Sequence, residues 1–444
     1  MEKNWTKGGV FKSIVFFSLP YLLSYFLQTL YGVADLFIIG QFTGSDMITA
    51  VSNGSQIMHM VTVIIVGLAM GATVTIGKAV GGDDLKGASS YIGNSVTLFL
   101  GLSVAATAVL LISVRGIVSL LSTPAEACEA TVLYLIICFA GIPAVTAYNV
   151  ISSIFRGLGD SKSPMYFIAI ACLVNIVLDY ILVGLLGMGA AGAALATTIA
   201  QTVSVIISLI FITGKKTGIS LAKSDFKPDK NVMGQIMKIG VPVACQDGFI
   251  QISFIVITII ANMRGLDTAA AVGIVEKIIS AAFIVPSSML ASVSALASQN
   301  IGAGRKDRAD KTLFYAILIS IVYGIIVAGI VELMPETVVS IFTKEAPVIM
   351  LGGQYIRGYI TDCLFAGIHF CFTGYFCACG KSYIGFIHNL CSILIVRVPG
   401  SYLASVFFPE TLLPMGFAAP TGSVLSIIIC VAAFLILHRK NVKM

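Results

Sequence analysis

The residues best suited to chemistry in this sequence are acids inside long apolar stretches. Asp35 lies near the end of one, and counting back along it gives Tyr31, Gln28 and Ser24 at spacings of four, three and four residues. These spacings place all four side chains on one face of a helix. A charge in hydrocarbon is unfavourable, so an acid reached by a polar stripe indicates function.

A second acid, Asp179, follows Asn175 by four residues in the segment VNIVLDY, so these two side chains also share a helical face. A helix-packing hydrogen bond would explain Asn175 alone, but it explains Asp179 poorly. Thr197 and Gln201 again lie one turn apart. For Thr197, a hydroxyl bonded only to its own backbone is an equally simple explanation.

The composition shows where these acids must lie. The chain has 444 residues, of which 57% are hydrophobic and 11% charged, and its mean hydropathy is +0.99. Soluble domains carry about 25% charged residues, so most of this surface faces lipid. About twelve stretches have the length and apolarity of a membrane-spanning helix. They run approximately over 13–39, 46–76, 88–113, 128–155, 163–186, 189–213, 234–262, 268–297, 309–334, 347–379, 383–406 and 413–437.

The chain reads as two related halves. Pro20 corresponds to Pro242, and Gly81 to Gly302, at offsets of 222 and 221 residues. We therefore predict an all-α membrane protein with two pseudo-symmetric six-helix bundles. Halves of this kind commonly rock against each other around a central cavity. The expected divisions are an N-terminal lobe over 1–213, a linker over 214–233 and a C-terminal lobe over 234–444.

Loop charges predict the orientation. Of the basic residues in the loops, only Arg115, Arg264 and Lys344 fall on one side of the membrane, and all others fall on the opposite side. The positive-inside rule then places both termini in the cytoplasm. We expect a multi-pass protein of the cytoplasmic (inner) membrane.

Depth brings the acids together. Counted from the outer ends of their helices, Asp35, Asp179 and Thr197 all lie roughly 7–12 Å below the outer boundary. All three belong to the N-terminal half, which predicts one small acidic chamber there. Gln28 and Tyr31 are expected to line the same coupling-cation and substrate site.

Two carboxylates in such a chamber cannot both ionise cheaply. They should bind H⁺, or accept Na⁺ through the oxygens of Asp35, Asp179, Asn175 and Thr197, because hard cations prefer oxygen ligands. An organic cation would compete for the same negative charge, and this competition is the physical basis of antiport. No organic cofactor is needed.

The C-terminal half carries both signs of charge. Asp247 and Asp362 lie near mid-membrane and could form a secondary cation site with Arg397 nearby, or one of the two acids could pair with Arg357. The sequence contains no nucleophile elbow, phosphate loop or set of metal ligands, so an enzyme is not expected.

At these residues the chain resembles the multidrug and toxic compound extrusion (MATE) family. The similar segments are SLPYLLSYFLQTLYGVADLFIIG, VNIVLDY, MGAAGAALATTIAQ, QNIGAGRKDRA and RVP at 397–399. The resemblance implies export of amphipathic, often cationic compounds, driven by inward H⁺ or Na⁺ flow. It also implies that Pro20 acts as a hinge in the first helix.

One branch of that family has a C-lobe acid where this chain has Ile250 and Gln251, and Asp362 sits about a turn from the expected tenth-helix acid. This departure favours the DNA-damage-inducible (DinF-like) branch. The alternative function is a flippase for lipid-linked precursors from the same superfamily, but such proteins resemble this fold with more spans and an arginine-lined cavity. We expect a monomer in the lipid bilayer that handles small molecules and no nucleic acid.

Overall fold

Helices make up nearly all of the protein. The computed structural model describes residues 5–121, 123–214, 219 and 221–442, and no strand occurs within these ranges. Ten helices in them are long and apolar enough to cross a membrane, and two further bent pairs meet the same criterion jointly. Counted as one span each, the bent pairs bring the total to twelve, as predicted.

The twelve spans follow one another with short connections. Span 4 bends by 46° at Gly141, and span 10 bends by 41° at Thr361. Spans 1 to 6 are Val10–Phe42, Ser45–Gly81, Leu85–Leu120, Ala125–Ala140 with Ile142–Gly157, Lys162–Leu185 and Gly189–Gly214. Spans 7 to 12 are Lys230–Asn262, Leu266–Gly302, Lys306–Leu333, Ala346–Ile360 with Asp362–Ala378, Ser382–Phe407 and Ala418–Val442.

Within the described ranges, two spans contain a stretch of π-helix. In span 5 it covers Tyr180–Leu185 and begins directly after Asp179. In span 11 it covers Ser392–Arg397 and ends at Arg397. Such wider turns are rare and frequently lie at functional sites. In both spans the irregular backbone adjoins an ionisable residue that the sequence singled out.

The chain forms two compact units. The N-unit contains Phe16–Gly240, and the C-unit contains the chain from Val241 onward together with Gly8–Val15. The change of unit therefore falls inside span 7, and the first turns of span 7 belong to the N-unit. Of the expected linker over 214–233, residues 215–218 and 220 lie outside the described residues.

The described part of this linker is anchored to the N-unit. A single 3₁₀ turn, Lys223–Phe226, packs on span 3. There the Asn94 amide donates to the Asp225 carbonyl oxygen at 3.1 Å, and its oxygen accepts from the Asp229 amide at 2.8 Å. This anchoring leads the chain directly into span 7.

Span 2 and the start of span 7 cross at a pair of glycines. A Cβ on Gly240 would lie 2.3 Å from the Leu68 carbonyl oxygen, and one on Gly71 would lie 2.1 Å from the Ile236 carbonyl oxygen. Neither position can carry a side chain without moving a backbone. Small residues permit such close helix contacts in membranes, where packing replaces the hydrophobic effect as the source of association.

Candidate functional site

Span 1 carries its polar residues toward the inside of the N-unit. Asp35 is only 7% exposed, although both neighbouring turns contain lipid-facing residues such as Phe37. Ser24, the most N-terminal member of the predicted polar stripe, differs from the others. Its hydroxyl donates to the Pro20 carbonyl oxygen at 2.9 Å, and it therefore supports the helix near the proline rather than the acid.

Asp35 is connected to the other predicted residues by a short chain of contacts. The Thr197 hydroxyl of span 6 lies 3.4 Å from Asp35 Oδ2 and donates to it. The Asn175 amide of span 5 in turn lies 3.5 Å from the Thr197 hydroxyl oxygen. Asn175 also interacts directly with the Asp35 carboxyl group. Thr197 is thus bonded to the acid rather than to its own backbone.

Asp179 completes this cluster from span 5. Its side chain is fully buried, and its carboxyl group lies within hydrogen-bonding range of that of Asp35. Among the described residues, no N–H or hydroxyl group donates to either Asp179 oxygen. Two ionised carboxylates in contact would repel each other strongly, whereas one proton shared between them makes a hydrogen bond. The geometry therefore suits a carboxyl pair that holds a proton.

Gln28 and Tyr31 extend the polar surface along span 1. Tyr31 interacts with Gln201 of span 6 and feels the charge of Asp35. Gln28 interacts with the Tyr148 hydroxyl of span 4. Tyr31 therefore lies beside Asp35, whereas Gln28 lies further along span 1 and contacts Tyr148.

Sequence reasoning missed the contribution of span 4. Tyr134 and Cys138 are buried at 3% and 2% exposure, and both lie close enough to Asp35 for electrostatic interaction. Tyr148 follows after the bend in the same span. The signal available in the sequence was the four-residue spacing of Tyr134 and Cys138, which places two weakly polar groups on one face.

Several oxygen atoms of this cluster lack a hydrogen-bond donor among the described residues. Asp35 Oδ1, Asn175 Oδ1 and both Asp179 oxygens are buried without a hydrogen-bond donor in the described part of the chain. Buried polar atoms are usually satisfied, so this set is suited to a proton or a small hard cation. The residues expected to hold Na⁺, namely Asp35, Asp179, Asn175 and Thr197, do lie together.

The predicted C-terminal residues do not form a comparable cluster. Asp247 is half-buried, and its carboxyl group interacts with no charged or hydrogen-bonding side chain among the described residues. Asp362 is 2% exposed and interacts with Ser423, whose hydroxyl lies 3.3 Å from His369 Nε2. The suggested pairing of an acid with Arg357 was wrong, because Arg357 Nε lies 3.9 Å from Glu332 Oε2 at a half-exposed position.

Arg397 is held mainly by aromatic rings. Its guanidinium lies 4.7 Å from the centre of the Phe254 ring, and its Nη2 donates to the Tyr359 hydroxyl. Its guanidinium also interacts electrostatically with Asp362 and Glu276. The C-unit therefore contains buried charges, but their arrangement differs from the carboxyl pair of the N-unit.

Comparison with known proteins decides the family. A protein-family model described as MatE matches residues 20–181 and 242–403. The chain belongs to the MatE family. The two matched ranges begin at 20 and 242, so the same MatE pattern occurs once in each half, as the internal repeat predicts.

Curated MatE relatives match nearly the whole chain. The "Probable multidrug resistance protein YpnP" of Bacillus subtilis (strain 168) is 28% identical over 414 residues, which cover 93% of this chain and 92% of the relative. The "Probable multidrug resistance protein NorM" of Thermotoga maritima is 25% identical over 406 residues, or 90% of this chain and 87% of the relative. This chain is accordingly a multi-pass membrane protein of a multidrug efflux transporter family, and its relatives are transporters rather than enzymes.

The MatE fold is also shared with a solved structure. The outward-facing conformation of a multidrug resistance MATE family transporter superposes with a TM-score of 0.92 at 21% identity, covering 99% of this chain and 98% of the other. The likeness confirms the predicted fold class. It does not distinguish branches of the family, so the DinF-like assignment stays a prediction.

Proposed function

We propose that this protein exports amphipathic, often cationic compounds across the cytoplasmic membrane by alternating access, in exchange for H⁺ that enters through the N-unit. The observation that carries the proposal is the buried contact between the Asp35 and Asp179 carboxyl groups. When such a pair gains or loses a proton, the charge of the site changes, and in a low-dielectric interior this change has a large effect on the binding of other charges. A cationic cargo would favour the deprotonated pair, and protonation would release it.

The same residues explain why H⁺ is preferred over Na⁺ in this proposal. The carboxyl groups of Asp35 and Asp179 lie within hydrogen-bonding range of each other. A proton shared between them removes the repulsion that two ionised carboxylates would have at this distance. Thr197 and Asn175 then hold the protonated pair in place through the contacts at 3.4 and 3.5 Å. A flippase for anionic lipid-linked precursors is not favoured, because the cluster of the N-unit is acidic.

Proteoliposomes with imposed gradients test the coupling ion. The test uses the purified protein, a cationic dye and Na⁺-free choline buffer. A pH gradient across the vesicle membrane should drive the dye toward the more acidic side, in exchange for H⁺. A Na⁺ gradient at equal pH, with a protonophore present, should not. Strict dependence on the Na⁺ gradient would identify Na⁺ as the coupling ion. Dye movement that is independent of both gradients would overturn the antiport proposal.

Pro20 is proposed as the hinge of span 1. It lies within the helix Val10–Phe42, shortly after the position where span 1 passes into the N-unit at Phe16. Proline removes one backbone donor and weakens the helix locally, which permits bending. Pro20→Ala should therefore slow gradient-driven efflux by about tenfold while leaving dye binding in detergent within about twofold of wild type. Efflux at the wild-type rate would reduce the proline to a structural feature.

A further inference from the structure

The C-unit holds a half-buried base, Arg397, that no acid within the described ranges contacts directly. The Arg397 guanidinium lies against the face of Phe254 at 4.7 Å and donates one hydrogen bond to Tyr359. Its Nε is buried and has no acceptor among the described residues. An arginine inside a membrane protein normally satisfies its donors with carboxylates, carbonyls or water. Arg397 therefore keeps at least one buried N–H donor without an acceptor in the described part of the chain.

A complementary acid lies close by on span 8. Glu276 Oε2 is 3.5 Å from the Thr258 hydroxyl, whereas Oε1 is buried without a donor in the described ranges. Glu276 and Arg397 feel each other's charge. Nevertheless they form neither a hydrogen bond nor an ion pair with each other in the part of the chain that the structure describes.

Span 7 explains why the two charges are held apart. Phe254 supports Arg397 and Thr258 supports Glu276, and these two positions are four residues apart on the same helical face. One turn of helix separates their contact points by about 6 Å along the axis. Opposite charges that could have closed into an ion pair are thus held at the two ends of one helical turn.

We propose that Glu276 and Arg397 form a second cargo site, which accepts compounds carrying both an anionic and a cationic group. Arg397 receives the carboxylate of the ligand through its available N–H groups, because guanidinium and carboxylate match in geometry. Glu276 receives the ammonium group. The rings of Phe254 and Tyr359 pack against the apolar body of the ligand.

This site lies entirely in the C-unit and is distinct from the carboxyl pair of Asp35 and Asp179. It extends the proposed export function to zwitterionic cargo, and it rests on that function only for its role in transport. Ligand binding at this site can be measured without transport. A failed gradient experiment would therefore refute the proposed export function, and a failed binding experiment would refute the second cargo site.

A matched pair of dyes isolates the role of Arg397. Rhodamine B carries a free carboxylate and a cationic ring system, and its ethyl ester keeps the cation but lacks the carboxylate. With full-length protein in detergent, fluorescence anisotropy should show wild type binding the acid at least as tightly as the ester. Arg397→Gln should raise the Kd of the acid about tenfold or more and that of the ester less than about twofold.

Two further variants complete the test. Glu276→Gln should weaken both dyes, because both keep the cationic group. Arg357→Gln serves as the control, because this arginine is half exposed and lies beside Glu332, and it should change neither Kd.

A purely structural role predicts different results. Equal losses of the two dyes in Arg397→Gln would assign Arg397 to packing and overturn the proposal. If that variant does not fold, the two dyes are compared on wild-type protein only. Binding of the ester more than about tenfold tighter than the acid would show that Arg397 does not bind the carboxylate of the dye, and would overturn the proposal.

Discussion

Asp35→Asn and Asp179→Asn are each expected to lower gradient-driven efflux about 100-fold or more, because each removes one half of the proton-binding pair. Asparagine has nearly the size and shape of aspartate, but its amide does not gain or lose a proton at physiological pH. The contacts from Thr197 and Asn175 can persist around an amide at residue 35. Efflux of a cationic dye from proteoliposomes under a pH gradient provides the measurement.

The controls separate transport from folding. Glu126→Gln changes an exposed acid in the first turn of span 4 and should leave efflux unchanged. Both aspartate variants should be extracted from the membrane as monodisperse protein, since neutralising a buried acid removes a desolvation penalty. Wild-type efflux in either aspartate variant would refute a shared proton between the two carboxyl groups.

Gly240→Ala is expected to destabilise the N-unit by about 1–3 kcal/mol, because its Cβ meets a backbone oxygen instead of a flexible side chain. That oxygen belongs to Leu68 and would lie 2.3 Å from the new atom. Spans 2 and 7 must then separate, which removes contacts on both helices. For a unit of this size, we expect Tm to fall by roughly 3–10 °C in a thermal unfolding experiment in detergent.

The matched control lies on the same helix. Gly234 is exposed, and a Cβ added there would meet nothing within 4 Å. Gly234→Ala should therefore leave Tm unchanged or raise it, since alanine is favoured over glycine in a helix by about 1 kcal/mol. Equal effects of the two substitutions would show that the glycine crossing is not tightly packed.

Some of the candidate site follows from local sequence. The four-residue spacing of Asn175 and Asp179 is a helical property, and it places both side chains on one face whatever surrounds them. Counting residues from the helix ends then gives a common depth for Asp35, Asp179 and Thr197. Depth and face together predicted a cluster, and the contact of Thr197 with Asp35 agrees with that interpretation.

The same reasoning could not identify which side chains or backbone groups each polar residue contacts. One alternative paired Arg357 with Asp247 or Asp362, yet Arg357 lies beside Glu332 at a half-exposed position. The bend of 41° that follows it in span 10 changes the direction of Asp362 relative to Arg357. Long basic side chains also extend toward polar surroundings, which residue counting does not capture. Ser24 likewise shares a face with Asp35 but bonds to the backbone at Pro20.

The sequence by itself determined the membrane class, the approximate twelve spans, the internal repeat and the two acids that face inward. These properties follow from hydropathy and helical period, which act over one or two dozen residues. Only the tertiary structure decided that the carboxyl groups of Asp35 and Asp179 lie within hydrogen-bonding range. It also decided that Tyr134 and Cys138 lie near Asp35, and that Arg397 and Glu276 form no ion pair within the described residues. These facts depend on how residues from different spans, far apart in the chain, pack together, because bends, π-helical turns and glycine crossings set the directions of their side chains.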